Sequence, residues 1–142
     1  MTNTYQMPKK SQEINPNEYL WIVHDGDSKP YDLRERTFLF ARRILEIAAK
    51  LPRNPECDVI RTQMVKAGTS VGANMEEADG AYSKRDFRNR VSISRKESKE
   101  TKFWLRLISG LYLPADEIAG DIQESTELIR IMSSILQKTE QK

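Results

Sequence analysis

Cysteine and histidine are almost absent from this chain of 142 residues, which contains one of each, Cys57 and His24. A single cysteine cannot form an internal disulfide, so nothing in the sequence requires an oxidising compartment. The lone histidine is not part of a Glu-x-x-His pair, which a ferritin-like di-iron site needs. We therefore predict no metal site, no cofactor and no catalytic residues, and we interpret Cys57 as a structural thiol.

Long apolar runs are also missing from the sequence. No segment approaches the roughly 20 apolar residues that a membrane-spanning helix needs, and residues 1–30 lack the apolar stretch of a secretory signal. We therefore expect no membrane partner and a cytoplasmic location. The hydrophobic (38%) and charged (31%) fractions are typical of one soluble folded domain.

The net charge is only +2, but it is distributed unevenly along the chain. Residues 83–106 contain nine basic and three acidic residues, which sum to +6, whereas residues 111–142 sum to −3. A basic segment of this kind suits an acidic partner, although a solvated helix face also carries Lys and Arg. The candidate nucleic-acid-binding residues are Arg85, Arg88, Arg95, Lys99, Lys102 and Arg106.

Hydrophobic spacing predicts four helices with short connections, and hence an all-α, antiparallel up-down-up-down four-helix bundle. Asn54 is the expected cap of the second helix and Ser83 that of the third, where the sequence Ser-Lys-Arg-Asp matches a capping box. The predicted helices cover residues 32–51, 54–80, 83–110 and 114–138. The domain organisation is an N-terminal arm (1–30), the bundle (31–138) and a polar tail (139–142).

The fourth predicted helix carries more apolar residues than one seam of a bundle needs. One stripe follows Ile118 and Ile122, and a second stripe, Leu128, Ile131 and Ile135, runs beside it. The first helix also has wide apolar coverage. Because such surfaces would stay exposed on a monomer, they predict self-association into a homo-oligomer.

Small residues fill residues 67–74 inside the second predicted helix, including Gly68 and Gly72, which share a face. Each glycine costs roughly 1 kcal/mol against alanine, so we predict a compensating close approach by the small, polar middle of the third helix. The run resembles a phosphate loop only superficially, because it lacks the Gly-Lys-Ser/Thr ending. The predicted helix-packing motif comprises Gly68, Ser70, Gly72, Asn74, Ser94, Ser98 and Glu100.

An ordered string of short motifs resembles a known bacterial family. The motifs are Thr-Ser-Val-Gly-Ala-Asn (69–74), Glu-Ala (77–78), Ser-Lys-Arg-Asp-Phe (83–87), Lys-Glu-Ser-Lys-Glu-Thr (96–101) and Trp-Leu (104–105). They are similar to those of the four-helix bundle proteins encoded in intervening sequences of 23S ribosomal RNA genes. The resemblance covers roughly residues 31–138. Met75 stands where many relatives carry an aromatic residue.

The resemblance implies a left-handed antiparallel bundle assembled as a ring-like homopentamer, with no assigned catalytic residues. The family is similar to the accessory protein of diversity-generating retroelements, a basic pentameric bundle that engages a reverse transcriptase and nucleic acid. These properties are expectations from the family resemblance. The expected number of five subunits rests on that resemblance alone.

Three functional hypotheses follow. The first is a non-enzymatic, nucleic-acid-associated protein that binds RNA or DNA through the basic third helix. The second is a protein-interaction scaffold, for example for a reverse transcriptase, without direct nucleic-acid binding. The third and least favoured is a metal site or enzyme built from carboxylates of neighbouring helices, for which the candidates are Glu76, Glu77, Glu97 and Glu100.

Overall fold

The computed structural model describes residues 23–24, 30–31 and 33–140. Four helices account for most of them, as predicted: α1 (Leu33–Lys50), α2 (Pro55–Asp79), α3 (Lys84–Ile108) and α4 (Ala115–Lys138). Before α1, the two-residue strand β1 (Val23–His24) pairs in antiparallel fashion with β2 (Pro30–Tyr31). The expected helix start at Asp32 and most of the predicted arm lie outside the described residues.

Polar contacts between neighbouring helices show that the helices alternate in direction. On α3, Ser94 Oγ donates a hydrogen bond to the carbonyl of Val71 on α2 at 2.8 Å. Arg90, one turn earlier on α3, reaches the side chain of Asn74, one turn later on α2. Equivalent contacts join the other neighbours: Arg34 with Asp79 for α1 and α2, and Arg88 with Leu136 and Arg95 with Ser133 for α3 and α4.

The predicted capping residues occupy the helix starts. The side chain of Asn54 accepts a hydrogen bond from the backbone N–H of Cys57 at 2.8 Å. Ser83 Oγ accepts one from the N–H of Asp86 at 3.1 Å, which confirms Ser83 as the cap of α3. The carboxylate of Asp86 accepts a hydrogen bond from the N–H of Tyr82 at 3.4 Å, one residue before the cap, so the second bond of the predicted capping box differs from the expected one. After α3, Gly110 has φ +75°, a left-handed conformation that glycine adopts without steric cost.

Replacing Asn54 by alanine is expected to lower the free energy of unfolding by about 1 kcal/mol, because the N–H of Cys57 loses its partner. Urea denaturation would measure the change. Asn54→Ser, which retains an accepting oxygen, is the matched control and should stay within a few tenths of a kcal/mol of the original protein. Equal stability of the alanine and serine variants would contradict the capping role.

The expectation of a surplus apolar stripe on α4 is wrong. Leu128, Ile131 and Ile135 are almost completely buried within the single chain. The reason is that α4 contacts α1 on one side and α3 on the other, so its apolar face must be wide. On α1, by contrast, Phe38, Leu39 and Leu45 remain about half exposed.

The glycines of α2 approach α1, which corrects the prediction that they pack against α3. A Cβ atom added to Gly68 would lie 2.7 Å from Cγ2 of Ile44, and one added to Gly72 would lie 3.2 Å from the carbonyl oxygen of Thr37. Both neighbours belong to α1. Gly68 and Gly72 therefore permit the close approach of α1, while other residues of α2 contact α3.

Asn74 and Ser98, both assigned to the predicted helix-packing motif, donate hydrogen bonds within their own helices. Asn74 donates a hydrogen bond to the carbonyl of Ser70 within its own helix and accepts one from Arg90. Ser98 donates to a carbonyl of its own helix, and Glu100 is exposed. Ser94 alone among the predicted α3 members makes a hydrogen bond to α2 within the described residues.

Candidate functional site

Five of the six predicted basic residues lie along one side of α3. Their spacing of seven, four, three and four residues keeps them within a narrow sector of the helix, because residues three or four apart share a face. Arg85 lies one turn before the first of them. We call this surface the basic face; its residues are Arg85, Arg88, Arg95, Lys99, Lys102 and Arg106.

Hydrogen bonds hold the N-terminal part of the basic face against α4. Arg88 Nη1 donates to the carbonyl of Leu136 and to Thr139 Oγ1, which is 2.7 Å away. Arg95 Nη1 donates to Ser133 Oγ at 3.4 Å. All three acceptors are neutral, so the positive charges of Arg88 and Arg95 are not compensated by these contacts.

The remaining members of the basic face form no ion pair with any residue that the structure describes. Arg85, Lys99 and Arg106 are exposed, and Lys102 is half-buried. Their charged groups therefore project from the bundle with no acidic side chain holding them. This is the arrangement that an external anion requires, because the cations need not first be released from internal partners.

A groove with a volume of about 920 Å³ lies between the start of α3 and the end of α4. Three basic-face residues line it together with polar neutral side chains and two carboxylates. Its lining consists of Ser83, Arg85, Asp86, Arg88, Asn89, Ser92, Arg95, Ser133, Leu136, Gln137 and Glu140. Of the two carboxylates, Asp86 is in the first turn of α3 and Glu140 follows the end of α4.

Four of the five acidic residues of α4 lie on its opposite side, where they pair with bases of α1. Arg36 donates to Glu124 through both Nε and Nη2, at 2.8 and 2.6 Å, and to Glu127 at 2.6 Å. These hydrogen bonds raise the pKa of Arg36 above its ordinary value, with burial acting in the other direction. Two further ion pairs join α1 to α4: Arg43 with Asp121 at 3.0 Å and Lys50 with Glu117 at 2.6 Å.

The side of α4 nearest the basic face carries no acid between residues 119 and 137. Ser133 contacts Arg95 there, and residues at helical spacing from Ser133 share its side. Those residues are Thr126, Arg130 and Gln137. Four acids of α4 therefore face α1, whereas Glu140, after the end of α4, lines the groove beside the basic face. The four are Glu117, Asp121, Glu124 and Glu127.

Other candidate sites gain no support from the geometry. Within the described residues, no three His, Cys, Asp or Glu side chains lie close enough together to hold a metal ion. The carboxylates once considered for such a site, Glu76, Glu77, Glu97 and Glu100, therefore do not gather into one. Cys57 is completely buried. No described helix is both long and apolar enough to cross a membrane.

Phe103 is a residue of this surface that reasoning from the sequence missed. It is 53% exposed, and it lies four residues after Lys99 and three residues before Arg106, which places it beside both on the helix surface. The spacing of Phe103 from Lys99 and Arg106 is the feature of the sequence that could have identified it. An apolar residue facing the core would instead continue the buried stripe of α3 through Thr101 and Leu105.

The fold and the basic face together define an antiparallel four-helix protein with segregated surface charge. The family described as 23S rRNA-intervening sequence protein matches residues 29–134. The chain belongs to this family. It is similar to the crystal structure of a protein of unknown function from the S23 ribosomal protein family of Bacteroides thetaiotaomicron, with 33% identity and a TM-score of 0.68. The similarity covers 73% of this chain and 97% of that chain. No curated protein matches the sequence.

Proposed function

We propose that this protein is a non-enzymatic, homo-oligomeric protein of the cytoplasm that binds RNA or DNA through the basic face. The observation that carries the proposal is the separation of charge across the bundle. Four of the five acids of α4 are paired with α1, while the six cations of the basic face form no ion pair within the described residues.

The basic face is suited to the sugar-phosphate backbone more than to base edges. Lys99, Lys102 and Arg106 occupy little more than two turns of α3 and present positive charge, with the exposed carboxylate of Glu100 in the same segment. Such side chains contact phosphates and fix position, but they carry little sequence information. Low sequence specificity is therefore expected.

Binding to RNA and DNA should weaken steeply as salt concentration rises. With up to six cations contacting phosphates, the plot of log affinity against log salt should have a slope of about −4 for a single strand. Fluorescence anisotropy with labelled oligonucleotides at several salt concentrations would measure the slope. No binding at low salt, about 50 mM, would overturn the proposed function.

Self-association is part of the proposal, and α1 provides its support. Phe38, Leu39 and Leu45 leave an apolar surface on α1 that a second copy would cover. A ring of five subunits, the number implied by the family resemblance, would repeat the basic face and raise its potential. Analytical ultracentrifugation tests the assembly, and a single subunit at all concentrations would contradict it.

A second candidate is a protein-interaction scaffold that does not bind nucleic acid directly. The same apolar surface on α1 favours it, since an exposed apolar patch also suits a protein partner. The similarity to the retroelement accessory protein makes a reverse transcriptase the partner to test. Co-purification of such a partner in nuclease-treated samples, together with no affinity for RNA or DNA, would favour the scaffold.

A further inference from the structure

An exposed aromatic ring lies beside the cations of the basic face. The ring of Phe103 packs edge-to-face on that of Trp104, with centroids 5.0 Å apart and an interplanar angle of 74°. Trp104 itself is only partly exposed and packs against the core. The contact covers part of Phe103, and about half of its surface remains open to solvent. Lys99 and Arg106 flank the ring, one turn away on either side.

From this arrangement, which rests on the proposed function, we infer that the basic face binds single-stranded nucleic acid in preference to duplex, with Phe103 as a platform on which a base stacks. Proteins that bind single strands combine a row of cations with exposed aromatic rings, because every unpaired base has a face that can stack. In a duplex those faces are already stacked inside the helix. Only the phosphate contacts of Lys99 and Arg106 would then remain available.

The geometry favours a ligand with both charge and an aromatic face over a simple polyanion. Lys99 and Arg106 are seven residues apart, which corresponds to about 10 Å along α3, and Phe103 lies between them in height. Phosphates of one strand can therefore meet the two cations while an intervening base lies on the ring. A polyanion without bases would gain nothing from Phe103.

The test compares Phe103→Ala with the original protein on a single-stranded RNA, a single-stranded DNA and a duplex of equal length. The expected result is a loss of about 5- to 150-fold in affinity for both single strands, the range found for removal of one stacking platform. Affinity for the duplex and the salt dependence should stay unchanged. Phe103→Tyr keeps an aromatic ring and should bind like the original protein.

Val59→Ala is the control, since Val59 is also open to solvent, at 60%, but lies on α2, outside both the basic face and the apolar surface of α1. It should leave binding unchanged. If Phe103→Ala lost affinity equally for single strands and duplex, or lost none, the stacking role would be overturned. The proposed function would still stand in that case, provided that binding remained salt-dependent. A change in the mass of Phe103→Ala in solution would also overturn it, because the ring would then be covered by another subunit.

Discussion

Replacing Lys99 and Arg106 together by glutamate is expected to weaken binding to single-stranded RNA by at least about 100-fold. Hydrogen bonds to charged groups contribute roughly 1.5–3 kcal/mol each, and 1.4 kcal/mol corresponds to a factor of ten. Two lost contacts therefore account for about two orders of magnitude, and the introduced carboxylates add repulsion. The salt slope should become shallower by about 1.4, since two phosphate contacts are removed. Fluorescence anisotropy at several salt concentrations measures both effects.

A control with the same change in net charge separates local contacts from the overall electrostatic field. Arg53 in the connection to α2 and Lys66 on α2 are exposed, and neither forms an ion pair with the residues that the structure describes. The variant Arg53→Glu with Lys66→Glu therefore loses as much positive charge, away from both the basic face and the apolar surface of α1. It should bind with only modestly reduced affinity. Equal weakening by both variants would show that net charge, and not the basic face, governs binding.

The sequence predicts those parts of the fold that depend on local chemistry. The cap at Asn54 depends on the backbone within three residues of it. The same holds for Ser83 and Asp86 at the start of α3. Phe87 and Leu105 of α3 are buried together because helical spacing places them on one side of the helix. Four helices and their approximate limits therefore follow from the residues themselves.

The choice of partner for each helix face is not local, and there the prediction failed. The spacing of Gly68 and Gly72 places both on one side of α2 but does not say which neighbour meets that side. The core of α2 centres on residues such as Met64 and Val71, and the glycines lie toward its edge, next to α1. Deciding which neighbouring helix packs on the glycine side of α2 requires the handedness of the bundle. The helical spacing of residues within α2 does not determine that handedness.

The candidate site shows the same division between local and non-local information. Helical spacing alone places Lys99, Lys102 and Arg106 on one side of α3. The lack of acids on the adjacent side of α4, between residues 119 and 137, follows only because Glu124 and Asp121 pair with α1. Without that knowledge, the acidic C-terminal segment would be expected to compensate the basic face. The segregation of charge is therefore a property of the assembled bundle.

The contact between α1 and α2 gives the largest expected effect on stability. Gly68→Val is expected to lower the free energy of unfolding by about 3 kcal/mol or more. The first added carbon would lie 2.7 Å from Cγ2 and 2.8 Å from Cγ1 of Ile44, which is completely buried and cannot move away without disturbing its neighbours. Overpacking a close-packed core costs typically 1–3 kcal/mol, and valine adds two further carbons. Urea denaturation at one fixed protein concentration measures the loss.

Gly120→Val is the matched control because Gly120 is also helical, but a Cβ there would meet nothing within 4 Å. Since valine is a slightly better helix former than glycine, this variant should be a few tenths of a kcal/mol more stable. If both valine variants had the stability of the original protein, close approach of α1 at Gly68 would be refuted.

Truncating Ile44, the side chain with which the valine at position 68 would clash, should recover part of the lost stability. Ile44→Ala alone is expected to cost about 2–5 kcal/mol, because it leaves a cavity beside Gly68. The added valine would fill that space, so the double variant should be more stable than the sum of the two single losses implies, by about 0.5–3 kcal/mol. Strict additivity would mean that residues 44 and 68 do not compete for the same volume. Close packing of α1 would then not explain why position 68 of α2 is a glycine.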